Sequence, residues 1–199
     1  MFTNHESEQT LPLTGANVKY VPNFFNAQQS NYYFNELLVQ TPWRADNIKV
    51  FGKVYPQPRL TALYGDLGQS YSYSGITMNT LAFTPELIAI KEAVQVHSKS
   101  AFNTVLLNLY RNGGDSNGWH SDDEKELGQN PIIASVSFGA TRRFRFREKS
   151  NSKNTYTIRL EAGSLLLMRG ATQHNWQHQI PKTKQEVGPR INLTFRVLL

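Results

Sequence analysis

Cysteine is absent from this 199-residue chain, which excludes disulfides, thiolate metal sites and thiol nucleophiles. No apolar run approaches the ~20 residues that a membrane-spanning helix requires. The first fifteen residues lack the cationic start and apolar stretch of a secretory signal, so a soluble intracellular chain is expected. Histidine is scarce, with five in all, and a histidine-based metal site can therefore be assembled in few ways. No internal repeat or low-complexity segment is visible. The length suits one compact domain with a full core.

Charge is unevenly placed. The net charge is +6, yet residues 1–100 hold seven Lys/Arg against seven Asp/Glu, and residues 101–199 hold fourteen against eight. Residues 142–153 alone carry six basic side chains, opposed only by Glu148. Such a run attracts polyanions, nucleic acid among them. It is equally compatible with a solvated hairpin that binds nothing.

The chain changes character along its length. The opening fifteen residues read as a loose arm. Residues 26–40 have helical character, with Tyr33 and Leu37 four apart, and Pro42 stops it. Residues 48–83 are broken by Gly52, Pro56, Pro58, Gly65, Gly68 and Gly75, the pattern of hairpins and loops. Thr84 and Pro85 open a second helix as N-cap and first helical residue. Its buried stripe is expected to be Leu87, Ile90, Val94 and Ala101. Strands are expected at 102–111, 132–139, 142–148, 155–160, 164–169 and 190–198. Two helices followed by many short strands predict an α+β, mainly β, sandwich or barrel.

The chemistry centres on residues 106–124. His120 and Asp122 stand at i and i+2, so on an extended chain their side chains share a face. They can supply two ligands to a divalent metal, and His174 or His178 a third. Two histidines and one carboxylate form the facial triad of non-haem Fe(II) oxygenases. A surface hydrogen bond would explain His120 and Asp122 just as well if they stood alone. His174 and His178 have the spacing of a helical zinc pair, but the Glu that a zinc protease places beside the first histidine is Asn175 here. In the last strand, Arg190, Asn192, Thr194 and Arg196 alternate with Ile191, Leu193, Phe195 and Val197. If the polar face looks inward, its arginines need an anion, and a guanidinium fork matches a carboxylate. Asn108 and Tyr110, also at i and i+2, can add polar contacts.

Taken in order, Asn108-x-Tyr110, His120-x-Asp122, His178 and Arg190-x-Asn192-x-Thr194-x-Arg196 resemble the motifs of the AlkB family of Fe(II)- and 2-oxoglutarate-dependent dioxygenases. The resemblance covers roughly residues 45–199. Val50-Phe51-Gly52-Lys53, Tyr64-Gly65-Asp66, the stretch from Tyr71 to Gly75, HSDDEKEL from His120 and IASVSFGA from Ile133 resemble the branch that repairs alkylated double-stranded DNA.

The resemblance implies a double-stranded β-helix, or jelly roll, with flanking helices and an N-terminal nucleotide-recognition lid of hairpins. Residues 1–45 would be arm and helix, 46–83 the lid, and 84–199 a helix with the catalytic core. His120, Asp122 and His178 would ligate Fe(II), with O2 as co-substrate. Arg190 and Arg196 would pair with the carboxylates of 2-oxoglutarate, and Asn108, Tyr110, Asn192 and Thr194 would support it. Phe51, beside Gly52, would wedge into the base stack. Tyr73 and His120 would sandwich a flipped base, with Tyr71 and Asp123 near its polar edge and Glu124 either touching the substrate or supporting the site. Arg59, residues 142–153, Lys182 and Lys184 would grip phosphates.

The implied reaction hydroxylates an N-methyl carbon of 1-methyladenine or 3-methylcytosine, releasing formaldehyde and succinate. The implied partner is DNA, duplex by preference, with no membrane, and the chain is expected to be a monomer. It would work in a bacterial cytoplasm, or in a nucleus if eukaryotic. Alternatives are the same chemistry on RNA, single-stranded DNA or protein, a non-catalytic nucleic-acid-binding jelly roll, and a zinc hydrolase built on His174 and His178.

Overall fold

The computed structural model describes residues 8–50, 53–66, 70–73 and 76–199, and gives only the backbone of 48–50, 53, 70–73 and 76–78. The helices are α1 (Ala27–Gln40), α2 (Pro85–Ser98) and α3 (Thr172–Asn175). The first strands are β1 (Gln9–Thr10), β2 (Asn17–Val21), β3 (Asn47–Val50), β4 (Lys53–Pro56), β5 (Leu60–Gly65), β6 (Ser70–Tyr73) and β7 (Ile76–Asn79). They are followed by β8 (Thr104–Tyr110), β9 (Asn117–His120), β10 (Ile133–Gly139) and β11 (Arg142–Glu148). The last are β12 (Thr155–Leu160), β13 (Leu165–Arg169), β14 (Trp176–Ile180) and β15 (Arg190–Arg196). No described helix is long and apolar enough to cross a membrane.

Both long helices begin on side-chain caps. Asn26 accepts from the Gln29 amide while Gln29 accepts from the Asn26 amide, a reciprocal capping box. Thr84 Oγ1 accepts from the Leu87 amide at 3.3 Å, and Pro85 takes the first helical position. The expected stripe of α2 is buried at Leu87, Ile90 and Val94, but Ala101 is exposed. The helix turns left-handed at Lys99 (φ 51°), so the 3.6-residue pattern does not extend to Ala101.

Seven strands form one sheet in the order β1-β2-β13-β10-β15-β8-β5, and four form another in the order β12-β11-β14-β9. This is the jelly roll. Two further two-stranded sheets, β3-β4 and β6-β7, stand apart from it.

The core has two layers. Helices cover one face of the large sheet, where Val105, Leu107, Leu109, Ile191, Leu193 and Phe195 are buried. The second layer lies between the sheets and includes Leu106, Phe144, Phe146, Met168 and Trp176. Every residue of β8 and β15 is therefore buried, although their inward faces are polar. Each fully buried Leu on the helix side contributes roughly 2 kcal/mol.

Residues 8–15 do not form the loose arm expected of the opening segment, and residues 1–7 lie outside the described residues. β2 pairs with β13, and Leu11 and Leu13 are buried against the inter-sheet layer. Trp176 Nε1 donates to the Thr14 carbonyl at 3.0 Å. Two leucines three residues before a short β-branched strand carry too little periodicity to reveal this docking.

Candidate active site

Strand pairing assembles the metal candidates. β14 runs antiparallel to β9 with His178 opposite His120, and the register shifts between His178 and Ile180. Asp122 follows two residues beyond β9. The ligand atoms of His120, Asp122 and His178 all lie within 4.8 Å of one another, the one such trio among the described residues. His174 does not join them. It sits on α3, which ends at Asn175 before β14 begins, and its side chain is exposed. The two histidines thus share no helix face, which removes the zinc-pair alternative.

The protonation states suit a metal. His120 Nδ1 lies 2.7 Å from the Gly118 carbonyl. A carbonyl only accepts, so Nδ1 carries the hydrogen and Nε2 keeps its lone pair. That Nε2 accepts from Asn117 Nδ2 at 3.2 Å. Burial pushes His178 down to about 3, and burial also lowers His120. Both imidazoles are therefore neutral. Phe144 stacks on the His178 ring at 5.2 Å and 19°. Burial opposes the charge on Asp122, but the charge and hydrogen bond of Arg196 outweigh it, so the carboxylate stays ionised. Two neutral nitrogens and one carboxylate oxygen fit Fe(II).

Arg196 lies differently from the expected picture of a pure cosubstrate clamp. Its Nη2 donates to Asp122 Oδ1 at 2.5 Å, which ties the last strand to the metal segment. The buried amide of Gln173 accepts the Asp122 N–H at 2.9 Å.

The inward faces of β8, β10 and β15 line the same cavity. Arg190 is 1% exposed, and burial pulls it down to about 10. Its Nη2 donates to Ser137 Oγ at 2.9 Å, while its Nε and Nη1 are buried without a hydrogen-bond partner. Two orphaned N–H groups on a buried guanidinium fit an incoming carboxylate. Asn192 donates to Ser135 Oγ at 2.7 Å and accepts from Thr194 Oγ1 at 3.0 Å. Asn108 Nδ2 reaches Asn192 Oδ1 at 3.4 Å, and Tyr110 stands in register with Arg190. Ser135, Ser137, Phe144 and Gln173 were not anticipated. The serines' alternation with Ala134, Val136 and Phe138 was their only signal.

Two expected phosphate contacts require correction. Arg59 is 3% exposed and donates to Asn108 Oδ1 at 2.6 Å, inside the cavity. Arg142 is also 3% exposed, because it faces the sheet interior opposite Leu160. Arg59 cannot reach a backbone phosphate from the surface, and Arg142, though it borders the outer groove, has its Nη groups committed to the Asn112, Asp115 and Pro181 carbonyls. By contrast, Arg143, Arg145, Arg147 and Arg159 share the outer face of the four-stranded sheet. Arg147 and Arg145 lie over the half-buried Trp119 ring at 4.3 and 5.6 Å. Arg143, Arg145 and Arg159 line a groove of about 470 Å³ with Lys182.

Asp123 is exposed, and its Oδ2 accepts from Lys149 Nζ at 3.0 Å. Glu124 is half-buried at the start of a 3-10 turn, Lys125–Leu127. Phe51 and Gly52 lie outside the described residues. Tyr71 and Tyr73 fall in β6, but their side chains are likewise outside the description.

A jelly roll that places two neutral histidines and a carboxylate beside a buried, unsatisfied arginine is the architecture of a non-haem iron oxygenase. Residues 17–196 match the 2OG-Fe(II) oxygenase superfamily, and the chain belongs to it and, within it, to the AlkB family. It is 43% identical over 201 residues to human alpha-ketoglutarate-dependent dioxygenase alkB homolog 3, covering 96% of this chain and 70% of that one. The bovine homolog 3 is 45% identical, covering 89% of this chain and 64% of that one, so the chain spans about two thirds of these relatives. Human DNA oxidative demethylase ALKBH2 is 43% identical over 159 residues, covering 76% of this chain and 61% of that one. Similarity to both groups leaves the two branches unseparated. The solved structure of OsALKBH1 has the same fold, with a TM-score of 0.67 at 15% identity, covering 96% of this chain and all of that one.

Proposed function

We propose that this chain catalyses oxidative dealkylation of N-alkylated bases such as 1-methyladenine and 3-methylcytosine in DNA. The observation that carries the reading is the Arg190 guanidinium, buried with two unpartnered N–H groups in the cavity that holds His120, Asp122 and His178. A metal-binding or nucleic-acid-binding jelly roll without catalysis has no use for that arginine. The relatives named as DNA oxidative demethylases support the substrate class.

In this reading His120, Asp122 and His178 hold Fe(II), and Arg190 receives a carboxylate of 2-oxoglutarate. Fe(II) with 2-oxoglutarate and O2 supplies the oxidant that hydroxylates the N-methyl carbon. Arg196 keeps Asp122 ionised and oriented, and Gln173 holds its backbone. Asn108, Asn192 and Thr194 form one hydrogen-bonded row beside the cosubstrate. The hydroxymethyl product then loses formaldehyde, the C–N electron pair returning to the ring nitrogen. The methylated bases are cationic, and Asp123, now shared with Lys149, can exchange that lysine for the charged ring. Methylation of the pairing edge also lowers the cost of flipping.

The separate hairpins β3-β4 and β6-β7 suit a nucleotide-recognition lid over residues 46–83. Phe51 and Gly52 fall between β3 and β4 in the chain, the place for a wedge that favours duplex DNA. Formaldehyde release from a 1-methyladenine duplex, requiring Fe(II), O2 and 2-oxoglutarate together, tests the proposal. Asp122→Ala is expected to lower it on the order of a thousandfold. Turnover surviving in that variant refutes the metal assignment. Parallel rates on single-stranded DNA and RNA test the substrate, and Phe51→Ala must cost more on duplex than on single strands.

A further inference from the structure

Two arginines lie over the Tyr110 ring. Arg190 approaches from the neighbouring strand of the same sheet, its guanidinium carbon 5.3 Å from the ring centroid, and Arg142 from the opposite sheet at 5.8 Å. Both are buried. Arg142 gives its N–H groups to three main-chain carbonyls, of Asn112 at 3.1 Å, Asp115 at 2.9 Å and Pro181 at 2.7 Å. Arg190 meets the Ser137 hydroxyl and the Tyr110 side chain. The nearby acid, Asp115, has its carboxylate bound by Arg111 through contacts of 2.8 and 2.9 Å. Arg142 thus disfavours the charge of Arg190, while Asp115 favours that of Arg142, and the hydrogen-bond acceptors that both arginines meet are neutral oxygens. Burying like charges together is costly unless an anion joins them.

We propose that Arg142 is a positioning residue for the cosubstrate. It holds the Tyr110 ring and the turn at residues 112–115 against Arg190, and it adds a second positive charge behind the ring. The inner end of the cavity thereby selects an oxo acid with a distal carboxylate over one without. A purely structural Arg142 would staple the turn to Pro181 and show no such selectivity. The inference rests on the cavity being the 2-oxoglutarate site.

The test uses Mn(II)-loaded, oxygen-free protein, titrated calorimetrically with 2-oxoglutarate and with 2-oxopentanoate, which lacks the distal carboxylate. Arg142→Met is expected to weaken 2-oxoglutarate about tenfold while leaving 2-oxopentanoate and Mn(II) within about twofold. Arg142→Lys, which keeps the charge, recovers most of the preference. Equal losses for both oxo acids, or no loss for either, overturn the proposal. If Arg142→Met does not fold, Arg142→Lys decides alone: a collapsed preference in that variant refutes the electrostatic role. Wild-type protein that does not prefer 2-oxoglutarate refutes the cavity reading itself.

Discussion

The two sheets of the jelly roll do different work by different means. The seven-stranded sheet supplies Asn108, Tyr110, Arg190, Asn192, Thr194 and Arg196 from β8 and β15, which pair in unbroken register over seven residues. The four-stranded sheet supplies His120 and His178 from strands of four and five residues whose register breaks beside the histidine. One side of the cavity is therefore a regular lattice of alternating side chains. The other is an irregular edge that brings distant segments together. The lattice can be stabilised from behind by helices while its front stays polar. The irregular edge has no such backing, since its outer face is solvent-facing arginine. Helix-backed packing belongs to one sheet, and the two histidines of the metal trio belong to the other.

The largest effect should come from attacking the lattice from behind. Leu193→Ala removes a fully buried side chain of β15 on the helix face. It is expected to cost about 3 kcal/mol in equilibrium denaturation. The Mn(II) affinity of the folded fraction should hardly change, because the ligands sit on the other sheet. A variant that folds normally but loses metal would break the division.

A smaller effect concerns the histidines without metal. Burial lowers His178 from 6.5 to about 3. Below pH 6.5 the unfolded chain therefore binds a proton that the folded chain refuses. Metal-free protein should keep this contribution above pH 6.5 and lose it as pH falls toward 3, by at most about 1.4 kcal/mol per unit. Denaturation midpoints across that range check it, and His178→Ala should flatten the slope. Stability that rises on acidification would contradict the buried neutral state.

The smallest effect belongs to the outer face. Arg145→Gln should weaken nucleic-acid binding only a few-fold and reduce the salt slope by about one unit. The rate at saturating substrate should be unchanged. A fall in that rate would show that the outer arginines reach into the chemistry.

How far the site could be read in advance follows the same division. The polar alternation of Arg190 to Arg196 has a period of two, and a strand with that period must separate its faces whatever it pairs with. The caps of α1 and α2 are equally local, since Asn26, Gln29 and Thr84 act on amides within one turn. Local geometry therefore determined the lattice and the helix starts. The choice of His178 over His174 was open to sequence motif alone, not to spacing, because it depends on where α3 stops. Arg59 and Arg142 show the limit from the other side. Their neighbours in the chain include prolines and further arginines, the composition of a phosphate-binding surface. Burial, however, is decided by the segments packed against a residue, and those are Asn108 for Arg59 and the 112–115 turn and Pro181 for Arg142.

By itself the sequence determined the His120-x-Asp122 pair and the alternating faces, because each depends on residue types at short, regular spacing, and the order of the motifs carried the family and His178. Only the tertiary structure decided that Arg196 binds Asp122, that Gln173 and Ser137 serve the site, and that two supposed surface arginines are interior. Those facts depend on contacts between segments 27 to 74 residues apart, which no local pattern encodes.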